Sequence, residues 1–275
     1  MTKVLTDAAV RQYHKDGYWF PLRIMSAADA AAVRADVEDV EQNRLNEIGG
    51  RLRHKPHLFL KPLDDLVRNE TLLDAVEDLI GPDILCWAAA FFTKEANDPA
   101  YVSWHQDATY WGLSEPDVVT AWVALSPATI ESGAMKVAPG SHRDGALPHV
   151  ETYHEHNLLT RGQEVQVEVD EREAVDMTLE PGEVSFHHVQ LVHGSGPNRS
   201  DDRRVGYAIR YIPTRVKQLL ADDSALLVRG HDAYGHFTLE TSPDESFSSA
   251  GIRSYIEANE RHNAILYQGA EQNRG

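Results

Sequence analysis

The sequence has little cysteine, no long apolar run and too few basic residues to balance its acidic ones. Cys86 is the only cysteine among 275 residues, which excludes an intrachain disulfide and a zinc site built from several thiolates. Its apolar neighbours Leu85 and Trp87 predict a buried thiol with a structural role. A metal site in this chain would therefore be built from histidine and carboxylate side chains.

Charge and hydropathy narrow the classes of function. The formal net charge of -17 disfavours a general binder of nucleic acid, because such proteins need clustered lysine and arginine. The longest apolar runs, such as residues 84–92, are far shorter than the roughly 20 residues that cross a bilayer, and the first residues lack the apolar stretch of a signal peptide. We expect a cytoplasmic protein that binds a small molecule rather than nucleic acid or a membrane. The oligomeric state stays open.

The first third of the chain has the pattern of helices. Thr6 or Asp7 can cap a short helix, and Ser26 can cap a longer one whose apolar periodicity stops at Gly49. A third helical pattern ends at Gly81. We expect residues 1–82 to form a helical part that packs on the remainder.

After residue 82 the sequence pattern changes to short β-rich runs separated by turn residues. Between Asp83 and about Pro213 these runs predict a sandwich or a barrel. A loop-rich stretch and a last helical pattern follow, so we expect one domain over 1–275, with a β core at 83–213 and an extension at 214–275. The β-rich runs are ILCWAAAFF, YVSWHQDATYW, VVTAWVAL, AMKVAP, VQVEV, VSFHHVQLVH and RVGYAIRYI.

The segment Trp104-His105-Gln106-Asp107 carries the first sign of chemistry. In an extended strand alternate side chains share a face, so His105 and Asp107 can bind one ion together. Two imidazoles and one carboxylate form the facial triad that is diagnostic of non-haem iron(II) oxygenases. A histidine and an aspartate at this spacing are often mere surface polarity, so the hypothesis needs a third ligand and a cosubstrate site.

The segment HGSGPNRSDDRR offers both. His193 ends an apolar run, Ser195 lies on the same face, and Arg204 follows a Gly-Pro-Asn turn. A guanidinium can pair both oxygens of a carboxylate, which suits a dicarboxylate cosubstrate.

These segments together resemble a known family. WHQD, AWVAL, APGSH and HGSGPN with its following Arg-Arg and Arg-Tyr pairs occur here in the order and approximate spacing of the phytanoyl-CoA dioxygenase-like (PhyH) family. Members of that family are oxygenases that depend on iron(II) and 2-oxoglutarate. The resemblance covers roughly Phe91 to Pro213. It implies a mainly β oxygenase domain with flanking helices and a double-stranded β-helix core, which is the jelly roll of cupin-like proteins.

The resemblance also implies roles for six residues. His105, Asp107 and His193 would bind iron, Arg204 would bind the distal carboxylate of 2-oxoglutarate, Ser195 would assist it, and Trp122 would line the cosubstrate pocket.

Two alternatives remain, one for the arginine that binds 2-oxoglutarate and one for the type of reaction. Arg203 is adjacent to Arg204, but the spacing from the Gly-Pro-Asn turn favours Arg204. Halogenating members have a small residue in place of the ligand carboxylate, so Asp107 favours hydroxylation.

Other candidates have two interpretations each. Alternation along one strand would place His187 on the face of His193, where it either supports the metal site, faces the substrate or is an ordinary core histidine. Tyr110 and Trp111 either line the substrate pocket or pack in the core. Arg210 either faces the pocket or supports the sheet.

The basic run Arg51 to Lys55 stands out in an acidic chain. It either binds an anionic group of the substrate or forms a solvated loop.

The leading hypothesis is a 2-oxoglutarate-dependent non-haem iron dioxygenase that hydroxylates an unactivated C–H bond of a small organic molecule. 2-Oxoglutarate and O2 would be consumed, and succinate and CO2 would be released. A small phosphonate or an acyl-CoA is an alternative substrate. A non-catalytic metal-binding jelly roll is an alternative of another class, and a zinc hydrolase would explain neither Ser195 nor Arg204.

Overall fold

The computed structural model describes residues 2–107, 111–159 and 162–266. Within these ranges the chain forms five α-helices: α1 (Asp7–Asp16), α2 (Ala27–Asp39), α3 (Lys61–Val67), α4 (Glu70–Ile80) and α5 (Ser249–Leu266). The same ranges contain thirteen strands: β1 (Tyr18–Arg23), β2 (Ile84–Lys94), β3 (Val102–His105), β4 (Val119–Ala124), β5 (Met135–Val137), β6 (His149–Glu151), β7 (Gln163–Val165), β8 (Val175–Met177), β9 (Glu183–His188), β10 (His193–Ser195), β11 (Arg204–Pro213), β12 (Ser224–Arg229) and β13 (Thr238–Leu239).

Local capping explains where the predicted helices begin. The hydroxyl of Thr6 accepts a hydrogen bond from the backbone N–H of Ala9 at the start of α1. Ser26 and Asp29 make the equivalent bond at the start of α2. Beyond α2 the chain continues as short π and 3-10 turns until Gly49, whose φ of 83° ends the helical pattern as predicted.

The strands form two sheets that face each other and a separate pair. The major sheet has the order β1-β9-β4-β11-β2-β12-β13, the minor sheet has the order β3-β10-β5-β8, and β6 pairs with β7. All neighbouring strands are antiparallel except β12 and β13. Apolar side chains of β1, β4 and β11 pack against those of β5 and β8 between the sheets. This arrangement confirms the predicted jelly-roll class.

The central strand β11 shows how the sheet positions polar groups. Its residues are buried on both faces, and Tyr207 and Ile209 join the core under the helices. The alternate residues, including Arg204, Ala208 and Arg210, face the space between the sheets. The alternation therefore directs both arginines into the interior of the sandwich.

A β-bulge in β2 changes the face that its side chains occupy. Arg210 pairs with Ala88 and Tyr211 pairs with Cys86, so Trp87 is an extra residue. Trp87 and Ala88 consequently lie in the same interior cluster, whereas the buried Cys86 packs on the helix side, as its predicted structural role requires.

The predicted limits of the β core, 83 and 213, are too narrow. β1 pairs with β9 at one end of the major sheet, and β12 pairs with β2 towards the other end. The run VQVEV was predicted as a strand, but only its first residue, Val165, belongs to one, because β6 pairs with 163–165. Within the described ranges, no helix is long and apolar enough to cross a bilayer.

Candidate active site

Three predicted ligands converge between the sheets. His105 ends β3 and His193 begins β10, and the two residues are direct partners across these antiparallel strands. Asp107 follows two residues after His105. Its Oδ1 lies 3.3 Å from Nε2 of His105 and 3.9 Å from Nε2 of His193. One ligand atom from each residue lies within 4.8 Å of the others, so the three side chains could hold one metal ion.

The backbone orients both imidazoles. Nδ1 of His105 lies 2.9 Å from the carbonyl oxygen of Ser103, and Nδ1 of His193 lies 2.9 Å from that of Leu191. A carbonyl oxygen can only accept, so each Nδ1 carries a proton, and each Nε2 is the ring nitrogen left on the side of Asp107 to bind a metal. Two neutral imidazoles and one carboxylate are the donor set that iron(II) takes in a facial triad, so these residues fit that metal.

The protonation states suit a cation. Burial alone would raise the pKa of Asp107, but the neighbouring imidazoles of His105 and His187 hold it well below the usual range. Burial, with the nearby imidazole of His105, lowers the pKa of His193 well below its usual value. At neutral pH the site therefore presents the negative charge of Asp107 and a neutral imidazole at His193.

His187 lies at this site for a different reason from the one predicted. A turn separates β9 from β10, so His187 and His193 lie in different sheets and not on one strand. Their rings still approach to 4.6 Å between centroids, and Nε2 of His187 lies 3.7 Å from Oδ2 of Asp107. Similarly, Asp107 lies beyond the end of β3, so strand alternation does not account for its position beside His105.

A cavity beside the three ligands contains the predicted cosubstrate residues. We call it the Arg204 cavity. Its lining residues are Phe92, Val102, His105, Asp107, Thr120, Trp122, Met135, His187, His193, Gly194, Ser195, Arg204, Ala208 and Arg210.

Arg204 is held firmly in this cavity. Its side chain is buried, one guanidinium nitrogen donates to the carbonyl oxygen of Gly133, and the Trp122 ring centroid lies 5.4 Å from Cζ. Its Nε has no hydrogen-bond partner among the described residues, and burial lowers its pKa to about 10. The group is still a cation at neutral pH and has a free N–H.

Lys94 is a neighbour of Arg204 that the sequence analysis missed. Its Nζ donates to Oγ of Ser195 at 2.7 Å and also to the carbonyl oxygen of Gly196. Because Ser195 accepts this bond, its own hydroxyl proton can be donated into the cavity. Burial and the charge of Arg204 lower the pKa of Lys94 to about 6.

Arg203 does not line the space between the two sheets, and it pairs with Glu41 instead. Its two terminal nitrogens donate to the carboxylate of Glu41 at 2.6 and 3.1 Å. The placement of Arg204, and not Arg203, in the cavity agrees with the choice made from the turn spacing.

A second cavity adjoins the ligands on another side, and we call it the His54 cavity. Phe92, His105, Asp107 and Arg210 line both cavities. The remaining lining residues are His54, Trp87, Ala88, Gln106, Trp111, Leu158, Leu159, Gln163 and His262.

Trp111 and Arg210 therefore lie where the pocket interpretation placed them. Trp111 also packs in the core, because its ring centroid lies 5.1 Å from that of Trp87. Tyr110 lies outside the described residues.

Within the basic run Arg51 to Lys55, the side chains of His54 and Lys55 have different surroundings. Lys55 is fully buried, and its Nζ donates to Glu240 at 2.7 Å and to the carbonyl oxygen of Ser224 at 2.6 Å. The solvated-loop interpretation is wrong for Lys55, and its ammonium group is already paired and cannot be a free anion site. His54 instead lines a cavity, together with His262, which no sequence motif marked.

Comparison with known proteins places this geometry in a family. The phytanoyl-CoA dioxygenase (PhyH) family profile matches residues 1–206. The chain is 30% identical over 221 residues to the "Probable alpha-ketoglutarate-dependent hypophosphite dioxygenase" of Stutzerimonas stutzeri, covering 72% of this chain and 77% of that protein. It is 29% identical over 257 residues to the L-proline trans-4-hydroxylase of Streptomyces griseoviridis, covering 82% and 95% respectively.

A solved structure agrees with both sequence matches. The non-heme monooxygenase ThoJ superposes with a TM-score of 0.84 at 35% identity, over 94% of this chain and 98% of that one. The chain belongs to the phytanoyl-CoA dioxygenase (PhyH) family of oxygenases that depend on iron(II) and 2-oxoglutarate.

Proposed function

We propose that this protein hydroxylates a C–H bond of a small organic molecule with iron(II), 2-oxoglutarate and O2. The observation that carries the proposal is that the three ligand side chains share a cavity with a buried arginine. A metal-binding protein without catalysis would need the three ligands alone. Arg204 and Ser195 add groups that suit a dicarboxylate.

In this proposal His105, Asp107 and His193 bind iron(II). Three protein ligands leave open positions on a six-coordinate metal, which 2-oxoglutarate and O2 require. When bound, the iron supplies the oxidising chemistry, in which 2-oxoglutarate is converted to succinate and CO2 while the substrate gains a hydroxyl group. The chain itself holds the ligands in place through the carbonyl oxygens of Ser103 and Leu191.

The same proposal assigns Arg204 to the distal carboxylate of 2-oxoglutarate. Its buried free Nε and the hydroxyl of the half-buried Ser195 are donors towards this cavity, and a charge-assisted hydrogen bond is strong where solvent is partly excluded. Lys94 keeps Ser195 in position, and Trp122 forms an apolar wall over the guanidinium.

The substrate would enter the His54 cavity. This cavity reaches His105 and Asp107, and Trp87, Trp111 and Phe92 give it apolar walls. Such a site orients one bond towards the metal and excludes water. The relatives named for hypophosphite and for L-proline act on small molecules, which supports a small substrate over an acyl-CoA.

The test is 2-oxoglutarate turnover and its dependence on Arg204. Wild-type protein with iron(II) should convert 2-oxoglutarate to succinate with O2, measured by mass spectrometry across a panel of small acids and amines. Arg204→Gln should raise the KM for 2-oxoglutarate by about tenfold to a hundredfold, because a charge-assisted hydrogen bond contributes roughly 1.5–3 kcal/mol.

Arg203→Gln is the matched control, because the neighbouring arginine pairs with Glu41 outside both cavities. It should leave the KM for 2-oxoglutarate unchanged. Absence of both succinate formation and iron(II) binding in the wild-type protein would refute the proposal in favour of a different role for the fold.

A further inference from the structure

Arg210 is a buried cation without an adequate partner. Its relative exposure is 6%, and its only hydrogen bond to the described residues joins a terminal nitrogen to the carbonyl oxygen of Ala208 at 3.5 Å. Its Nε has no partner among those residues, and none of their ion pairs includes Arg210. A buried guanidinium in this state is costly unless an anion binds to it.

Arg210 lines both cavities, and its guanidinium lies near an aromatic ring that lines the His54 cavity alone. Its Cζ lies 5.4 Å from the ring centroid of Trp111, which does not line the Arg204 cavity, and 5.6 Å from that of Phe92, which lines both. The charge of Arg210 lowers the pKa values of His54 and His262, after the larger effect of burial. Arg210 therefore lies on the side of the metal site where the substrate would bind.

Among the described residues that line the His54 cavity, Asp107 alone carries a negative charge, and it interacts electrostatically with Arg210 without a hydrogen bond between them. His54 and His262 lie with their ring centroids 4.3 Å apart, and Nδ1 of each is buried without a partner among the described residues. Their lowered pKa values keep them neutral at pH 7. Among the described lining residues, the cavity thus combines the guanidinium of Arg210, the neutral imidazoles of His54 and His262, and aromatic walls.

We propose that Arg210 binds an anionic oxygen group of the substrate, so that the substrate class is small carboxylic acids. The inference rests on the proposed function, because it takes the His54 cavity as the substrate side of the iron site. The planar guanidinium pairs with a carboxylate, while Trp87 and Trp111 contact the hydrocarbon part. The distance from Arg210 to the metal ligands then limits which carbon of the acid is presented.

The experiment measures binding of a minimal headgroup, trifluoroacetate, to the protein loaded with Mn(II) and saturated with 2-oxoglutarate. The paramagnetic ion broadens the 19F signal only of probe bound close to it, which separates this site from surface cations. Trifluoroacetate should bind at least about tenfold more tightly than the neutral trifluoroacetamide, because only the acid pairs with the guanidinium.

Variants assign the effect to one side chain. Arg210→Gln should lower the affinity for trifluoroacetate by about tenfold to a hundredfold, and Arg210→Lys should retain part of it. Arg203→Gln should bind the probe as the wild type does. The comparison of acid and amide in the wild type needs no variant, so it remains decisive even if a substitution at Arg210 prevents folding.

Competition distinguishes the kind of anion. Displacement of trifluoroacetate by hexanoate at lower concentration than by hypophosphite supports a carboxylate, and the reverse order overturns that assignment. Equal binding of acid and amide overturns the whole proposal, as does loss of 2-oxoglutarate affinity in Arg210→Gln with unchanged binding of trifluoroacetate.

If the proposed function itself were wrong, the experiment would give a different result from failure of the proposal for Arg210. In that case the wild type would bind neither Mn(II) nor 2-oxoglutarate, as read from the relaxation of water protons. An ordinary 19F titration without metal would still report whether Arg210 binds the anion.

Discussion

At the scale of single residues, two backbone carbonyls set the chemistry of the metal site. The oxygens of Ser103 and Leu191 accept from Nδ1 of His105 and His193, so the Nε2 atom of each ring is turned towards Asp107. His187 approaches the other carboxylate oxygen of Asp107. Orientation of the ligands is therefore built into the folded chain before a metal arrives.

Replacement of Asp107 should abolish metal binding and leave the fold intact. In the wild type, Mn(II) at about a hundred times its Kd should raise the free energy of unfolding by roughly 2.7 kcal/mol, because the ion binds the folded chain only. Asp107→Ala should show no such gain, measured by urea unfolding with and without Mn(II), and no succinate formation.

Asp170→Ala provides the control, because this exposed carboxylate pairs only with Arg172 in the described structure. It should keep the full gain in stability. A Mn(II)-dependent gain that persisted in Asp107→Ala would show that the ion binds elsewhere.

Sequence spacing could predict these residues only where a motif held them together. His105, Asp107, His193 and Arg204 lie in two short motifs, and the structure brings them to one place. His54 and His262 come from distant segments with no repeated pattern, so their meeting depends on tertiary packing.

At the scale of elements, the close pairing of β4 and β11 shapes the Arg204 cavity. Ala208 of β11 pairs with Trp122 of β4, and the indole ring lies across Gly206. A Cβ at Gly206 would overlap that ring, so the glycine is required by close approach and not by a special backbone angle.

Gly206→Ala should displace Trp122 and weaken the cosubstrate site. We expect a loss of about 1–3 kcal/mol in the free energy of unfolding, as in other overpacked cores, and a higher KM for 2-oxoglutarate. Urea unfolding and succinate assays measure the two effects. In a Trp122→Ala background the overlap is gone, so Gly206→Ala should cost less stability there than in the wild type, which a double-mutant cycle measures.

A suitable comparison is Gly196→Ala, where an added Cβ would meet open space. Its stability should be close to that of the wild type. Equal losses in the two variants would mean that the flexibility of glycine matters and the contact with Trp122 does not.

Elements were predictable where local signals suffice. The caps at Thr6 and Ser26 fixed two helix starts, because a capping bond involves residues only three apart. The short strands β6 and β8 have three residues each, too few for a periodic pattern. The short helix α3 was missed for the same reason.

At the scale of the whole molecule, segments from both ends of the chain complete the His54 cavity. The rings of His54 and His262 are in contact at a tilted angle, and the carbonyl oxygen of His54 accepts from the side chain of Asn259 in α5. Nearby, the buried pair of Lys55 and Glu240 fixes the same segment against the residues after β13. The predicted core at 83–213 therefore lacks residues that line the His54 cavity.

Glu240→Gln should destabilise the protein in a manner that depends on pH. Burial alone would raise the pKa of Glu240, but Lys55 and His57 lower it to about 2, below its value of 4.5 in an unfolded chain. The stabilisation is fully present above pH 4.5 and is lost as the pH falls towards 2. At pH 7 the variant should lose about 3–5 kcal/mol, because Lys55 stays buried without its partner.

Urea unfolding at pH 7 and pH 3 tests this expectation, and the difference between wild type and variant should be smaller at pH 3. Asp117→Asn breaks a partly exposed pair with Arg215 and should cost less than about 1 kcal/mol. A difference that did not change with pH would contradict the assignment of the effect to the charge of Glu240.

At the scale of the whole molecule, composition predicted less than motifs predicted about single residues. The charge balance and the lack of long apolar runs excluded broad classes of partner, and the described chain has no helix fit to cross a bilayer. The single domain and the cytoplasmic location stay predictions.

The direct pairing of His193 with His105 has a consequence for how the protein is made. Alternate residues of a strand face opposite sides, so a slip of one position between β3 and β10 would turn one imidazole away from Asp107. We therefore expect an ion that binds these residues to stabilise the correctly paired strands over misaligned ones. Folding in the presence of the ion should then give a larger share of correctly paired chains than folding without it.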